Sequence, residues 1–225
     1  SVKASDHVDN TRIYASNGII IEKVVPSVQI EGVSGGIYGK NDEITYTIKA
    51  TDGKYEDADT KEELGVSGIQ RIETEILYNG KSIESEKKTF YTNPNTGKFQ
   101  DTAFEETTPA PEGKTYSQTM ELSSEYDSNN IVIRVTAYDR AGNTQVVTQP
   151  VKVDRQSPEI HIKYSNNNAA NGIYFQAART ATITFTERNF NAEKVRFDLT
   201  LENGGEYKDV SLETLNSIEG IFAAW

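Results

Sequence analysis

No cysteine occurs among the 225 residues. That excludes disulfides, thiolate metal sites and a cysteine nucleophile. Histidine is almost as scarce, at His7 and His161 only, so imidazole acid–base and metal chemistry has little to draw on. Positive charge is short: 23 Lys and Arg stand against 34 Asp and Glu, a net charge of −11. Nucleic-acid binding is disfavoured, because phosphate contacts need clustered cations. An anionic membrane surface is disfavoured for the same reason. No run of about 20 apolar residues is present, so membrane insertion by a helix is not expected. No His-Glu-x-x-His occurs. The chain is therefore expected not to be an enzyme.

What is there is a period of two. Ile44, Tyr46, Ile48 and Ala50 fall on one face, with Thr45, Thr47 and Lys49 on the other. Ile131, Ile133, Val135 and Ala137 repeat the pattern, as do Ala181, Ile183 and Phe185, and then Val195, Phe197, Leu199 and Leu201. A half-buried antiparallel strand needs this alternation. Asn79-Gly80, Gly142-Asn143 and Asn203-Gly204-Gly205 punctuate the runs as turns. Many short strands separated by turns predict an all-β sandwich architecture. Helical spacing occurs once, where Leu212, Leu215 and Ile218 predict a short helix near the C-terminus.

The chain also repeats itself. Asp6-His7-Val8-Asp9-Asn10-Thr11 resembles Asp139-Arg140-Ala141-Gly142-Asn143-Thr144. Pro26-Ser27-Val28-Gln29-Ile30 resembles Pro158-Glu159-Ile160-His161-Ile162, Gly36-Ile37-Tyr38 resembles Gly172-Ile173-Tyr174, and Ile44–Ile48 follows the pattern of Ala181–Phe185. Four matches in the same order define a unit of about 130 residues. Residues 1–24 are then the last strand or strands of a preceding unit. Residues 25–154 are one complete unit, and 155–225 the first part of another. Residues 85–114, rich in Pro, Thr and Glu, exceed a plain sandwich connection and read as an insertion. Opening on Ser-Val-Lys with Met120 its only Met, the chain reads as a segment of a longer protein.

Ala137-Tyr138-Asp139-Arg140-Ala141-Gly142-Asn143, then a strand, then Val153-Asp154 and Ser157-Pro158, resembles the end of a bacterial immunoglobulin-like (Big-type) repeat. The stretch from Arg179 to Phe190 resembles the opening of similar repeats in very large surface proteins of Gram-positive gut bacteria. The resemblance implies tandem Ig-like antiparallel β-sandwiches, secreted or cell-wall associated, that serve as structural spacers or adhesive segments. Their partners would be neighbouring repeats of the same chain. An alternative is a carbohydrate- or host-protein-binding module centred on residues 85–116.

Candidate chemistry is sparse. Calcium takes six to eight oxygen ligands. Asp52, Glu56, Asp57 and Asp59 offer carboxylates in one loop, and Asp139 and Asp154 offer a second set at the unit boundary. The alternative for Asp139 is an Asx-type turn contact to backbone N–H groups. Tyr91 and Phe99 flank Asn93-Pro94-Asn95-Thr96-Gly97 and are the candidate platform for a sugar ring. Lys49 and Asn143 have strand contexts suited to an intramolecular isopeptide bond, although no partner acid is evident. Glu73/Glu75 and Glu105/Glu106 are adjacent carboxylates that read as solvating charge.

Overall fold

The computed structural model describes residues 2–14, 22–53, 55–56, 63–64, 66–103, 114–165, 167–168, 170, 181–195, 216–218 and 221–224. The protein is mostly β. Its strands are β1 (Val2–Ser5), β2 (Thr11–Tyr14), β3 (Ser27–Glu31), β4 (Ile37–Tyr38), β5 (Ile44–Thr51), β6 (Tyr55–Glu56), β7 (Glu63–Leu64), β8 (Ile69–Tyr78), β9 (Lys81–Ser82), β10 (Lys88–Asn93), β11 (Lys98–Gln100), β12 (Thr115–Leu122), β13 (Ser128–Asp139), β14 (Thr144–Val153), β15 (Glu159–Tyr164), β16 (Ala181–Thr186), β17 (Asn216–Ile218) and β18 (Ile221–Ala224). Single 3-10 turns cover Glu84–Glu86 and Ala192–Lys194. The chain divides into two compact units. The first is Ser1–Gly35, Glu43–Ser124 and Asn130–Val151, and the second is Gly36–Asp42, Glu125–Asn129 and Lys152–Trp225.

In the first unit the strands follow the order β3-β5-β12-β11-β10-β8-β13-β14, with β9 folded back on β8. The expected alternation is realised on β5 and β13. Ile44, Tyr46, Ile48 and Ala50 are buried, and so are Ile131, Ile133, Val135 and Ala137. Each fully buried Ile contributes roughly 1.5–3 kcal/mol of transfer free energy. On β8 the inward set is Ile69, Ile72, Thr74 and Ile76. The three-residue step from Ile69 to Ile72 is absorbed by a register shift opposite Tyr138 and Asp139, a bulge of the kind that re-aims side chains beside a site. The Asn79-Gly80 turn has φ of 51° and 79°. Positive φ at both central residues is what a tight type I′ hairpin requires.

Residues 88–93 and 98–100, inside the stretch read as an insertion, are β10 and β11. They lie between β8 and β12 in the strand order. Phe90 and Thr92 are buried, and the Thr92 hydroxyl donates to the Ile69 carbonyl at 2.9 Å. Residues 104–113 lie outside the described residues. β1 and β2 form a hairpin of their own whose side chains are all exposed.

In the second unit, Ile37 and Tyr38 pair in parallel with Lys152 and Val153. A further sheet has the order β15-β16-β18-β17. The helix predicted near the C-terminus is corrected for its described part, where 216–218 and 221–224 are antiparallel strands; Leu212 and Leu215 lie outside the described residues. Three leucine-like residues at threefold spacing are too few to specify a helix. Glu219-Gly220 separates two short runs that include Ile218, Ile221 and Phe222, and such residues favour strands.

Candidate metal centre

Three segments of the first unit converge on one cluster. Glu22 precedes β3, Asp52 follows β5 and Asp139 ends β13. Each brings a carboxylate oxygen, and these oxygens lie within 4.8 Å of one another. Asp52 and Asp139 are each 1 % exposed, and Glu22 is half-buried. The strands explain the placement. Asp52 continues the inward series Ile48–Ala50, and Asp139 continues Val135–Ala137, so the period that builds the core also carries two carboxylates into it.

Backbone donors fix each carboxylate. The Gly68 N–H donates to Asp52 Oδ2 at 2.6 Å, and the Ser67 N–H donates to Glu22 Oε2 at 2.7 Å. Asn143 donates its backbone N–H to Asp139 Oδ1 at 2.7 Å and its amide to Oδ2 at 2.8 Å. The segment carrying Ser67 and Gly68 is tied to the turn in its own right. The Arg140 N–H reaches the Gly68 carbonyl at 3.0 Å, the Arg140 guanidinium the Ser67 carbonyl at 3.2 Å, and the Ala141 N–H the Ser67 hydroxyl at 3.1 Å. Two oxygens are left over. Asp52 Oδ1 and Glu22 Oε1 are buried with no hydrogen-bond partner among the described residues. Burial pushes the Asp52 carboxyl up to about 6, and the Glu22 and Asp139 charges add to that, against the lowering effect of the Gly68 N–H.

Among the described residues the same turn also occurs without the cluster. Asp6 accepts from the Val8 and Asn10 N–H groups and from the Asn10 amide. Its own N–H meets the Asn10 carbonyl at 3.0 Å, as the Asp139 N–H meets the Asn143 carbonyl at 3.1 Å. Asp9 has φ 64° where Gly142 has φ 92°. The Asx-type reading of Asp139 thus holds, alongside its place in the cluster.

Asp52 and Asp139, assigned to two different sets, are brought together, and Glu22 joins them. Glu56 lies on β6, while Asp57 and Asp59 lie outside the described residues. Asp154 belongs to the second unit, in a cluster with its own cation. There Arg188 pairs with Asp127 and, at 3.0 Å, with Asp154. It also donates to the Val153 carbonyl at 3.2 Å. The Asn189 amide donates to Asp154, and the Gln156 amide to Asp127 at 2.9 Å. The Arg188 hydrogen bond holds the Asp127 carboxyl below its usual range. For Asp154 burial is the largest single influence and acts upward, but Asn189, the Gln156 N–H and Arg188 together hold the group low.

Phe99 is corrected as a sugar platform. It is 7 % exposed and packs on Tyr116 with ring centroids 5.7 Å apart, so neither ring face is offered to a ligand. Tyr91 is half-buried on β10. Lys49 and Asn143 are committed elsewhere, Lys49 to Glu31 at 2.7 Å on the exposed face of β5 and Asn143 to Asp139. An isopeptide donor lysine has to be buried beside its partner, and Lys49 is not. Glu73 and Glu75 are each paired with neighbouring side chains. Glu73 meets Arg71 at 3.1 Å and the Tyr138 hydroxyl at 2.8 Å, and Glu75 pairs with Arg134. His161 is exposed, 3.6 Å from Glu159, and His7 is exposed in the Asp6–Asn10 turn.

Compared with known protein families and with curated proteins, the chain matches no family model and no curated protein.

Proposed function

We propose that the chain is a non-enzymatic segment of a bacterial cell-surface or secreted repeat protein, acting as a structural spacer or adhesive stalk built of tandem Ig-like β-sandwiches. The observation that carries this reading is the recurrence of one turn. Asp6–Asn10 and Asp139–Asn143 share their first and last residues, the hydrogen bonds between those two, and a left-handed residue at the same place. Such recurrence is expected of an array in which each unit is closed by the same device. The antiparallel β5–β12 and β8–β13 pairings would oppose pulling along the chain through many backbone hydrogen bonds in register.

Stretching the whole chain between its ends by single-molecule force spectroscopy tests the proposal. Discrete unfolding steps are expected, and featureless extension at low force would overturn the mechanical role. The alternative, a carbohydrate- or host-protein-binding module over residues 85–116, rests on Tyr91 alone once Phe99 is in the core. A glycan array probed with the full chain decides it: specific, saturable binding lost in Tyr91→Ala would replace the spacer by the binding module.

A further inference from the structure

We propose that Glu22, Asp52 and Asp139 form a Ca²⁺ site in the first unit, where the second unit has an arginine, Arg188, on the carboxylate that corresponds to Glu22. The inference goes beyond the spacer reading and does not depend on it.

Three carboxylates meet in a buried place, and among the described residues none of them makes an ion pair. The Arg140 charge acts on Asp52 without an ion pair to it among the described residues, and the Arg140 guanidinium donates to the Ser67 carbonyl. Burying unpaired charge is expensive, so such groups gain a counter-charge or bind a metal. Two oxygens, Asp52 Oδ1 and Glu22 Oε1, are also buried without a donor, and orphaned buried acceptors need an explanation.

Geometry and ligand type agree. Oxygens bound to Ca²⁺ sit at about 2.3–2.6 Å, so opposite ligands stand about 5 Å apart. The three carboxylates present oxygens within 4.8 Å of one another, which fits one such shell. The cluster has neither His nor Cys, which points to a hard cation rather than zinc or copper. The backbone N–H groups of Ser67, Gly68 and Asn143 hold the far sides of the carboxylates, as outer partners orient the ligands of a metal site.

The second unit supplies an internal comparison. Ser27 lies opposite Thr51, and Glu159 opposite Thr186. Matching Pro26 to Pro158 and following this strand register, two residues away from the sequence match of Ile48 with Phe185, sets Glu22 against Asp154, Asp52 against Glu187 and Gly53 against Arg188. Arg188 fills the second cluster with a guanidinium. At the equivalent place the first unit has Gly53, with no side chain to do so, and a Cβ there would meet nothing within 4 Å.

The test uses the full chain, stripped with EDTA and titrated with CaCl₂. Saturable calorimetric binding of one ion is expected, with a Kd on the order of 10⁻⁴ M and a calcium-dependent rise in Tm. No heat and no Tm change at millimolar Ca²⁺ would overturn the site. Asp52→Asn is expected to weaken binding at least about tenfold, while Asp6→Asn, in the matching turn without the cluster, leaves it unchanged. Wild-type affinity in Asp52→Asn would overturn the assignment. Gly53→Arg, which imports the second unit's cation, is expected to raise the Tm of the stripped chain and abolish its response to calcium. A full calcium response in that variant would likewise overturn the proposal.

Discussion

At the scale of the residue, Asp52 is the least comfortable group in the first unit. Its carboxyl is 1 % exposed and shifted from 3.8 to about 6 by burial first and by Glu22 and Asp139 next. The folded value lies above the unfolded one, so the metal-free folded chain binds the extra proton more tightly. Its contribution is complete below about pH 4 and is lost as pH rises through 6, a swing worth roughly 3 kcal/mol. Urea unfolding in EDTA is expected to show stability falling between pH 4 and 7. Asp52→Asn removes that slope and makes the metal-free protein more stable at pH 7, because an amide keeps the Gly68 hydrogen bond without the charge. An unchanged slope in the variant would assign the effect to another group. Asp127 and Asp154, held low in the second unit, act in the opposite sense. Their contribution is present above the ordinary carboxylate range and is lost as pH falls below it. Arg188→Gln is therefore expected to lower Tm at pH 7 and to narrow the gap between pH 7 and pH 3.

At the scale of the element, the turns and the alternation decide most of the structure. Gly142 has φ 92° with open space around it, so a side chain there is opposed by backbone conformation and not by crowding. Gly142→Ala is expected to cost about 1 kcal/mol, and Gly142→Asn less, as Asp9 in the equivalent place already indicates. Chemical denaturation of both variants checks the order. β5 and β13 were legible in the sequence because each has one wet and one dry face. So was the Asn79-Gly80 hairpin, whose residues accept positive φ. β10 and β11 were obscured by the Pro- and Thr-rich stretch around them, although Phe90 and Thr92 already alternate inward. The C-terminal helix reading failed at Ile218, which lies on a strand, because three residues are too short a window to separate the two periods. Asp52 and Asp139 were visible as carboxylates but not as neighbours. Their meeting depends on β5 and β13 directing their ends to one place, and on a bulge at Asp139. Glu22 carried a signal that went unused: it stands four residues before Pro26, as Asp154 stands before Pro158.

At the scale of the whole molecule, excess negative charge and strand edges work together. Along residues 144–151, β14 has β13 on one side and no partner on the other among the described residues. Pro150 lies in that stretch, where a missing N–H hinders another chain from pairing. Pro150→Val is expected to promote association, first near pH 4.8 where the net charge vanishes. Light scattering across pH checks this, and equal scattering from both proteins would show that the edge is guarded otherwise. The contrast between Gly53 and Arg188 reaches furthest. A fold that carries its own counter-ion behaves alike in every medium, whereas one that borrows its counter-ion is conditional on what surrounds it. By that logic a single side chain sets whether a unit is indifferent to its surroundings or reports on them. Both kinds stand in this one chain, so a change in free calcium would stiffen one stretch of it and pass the other by.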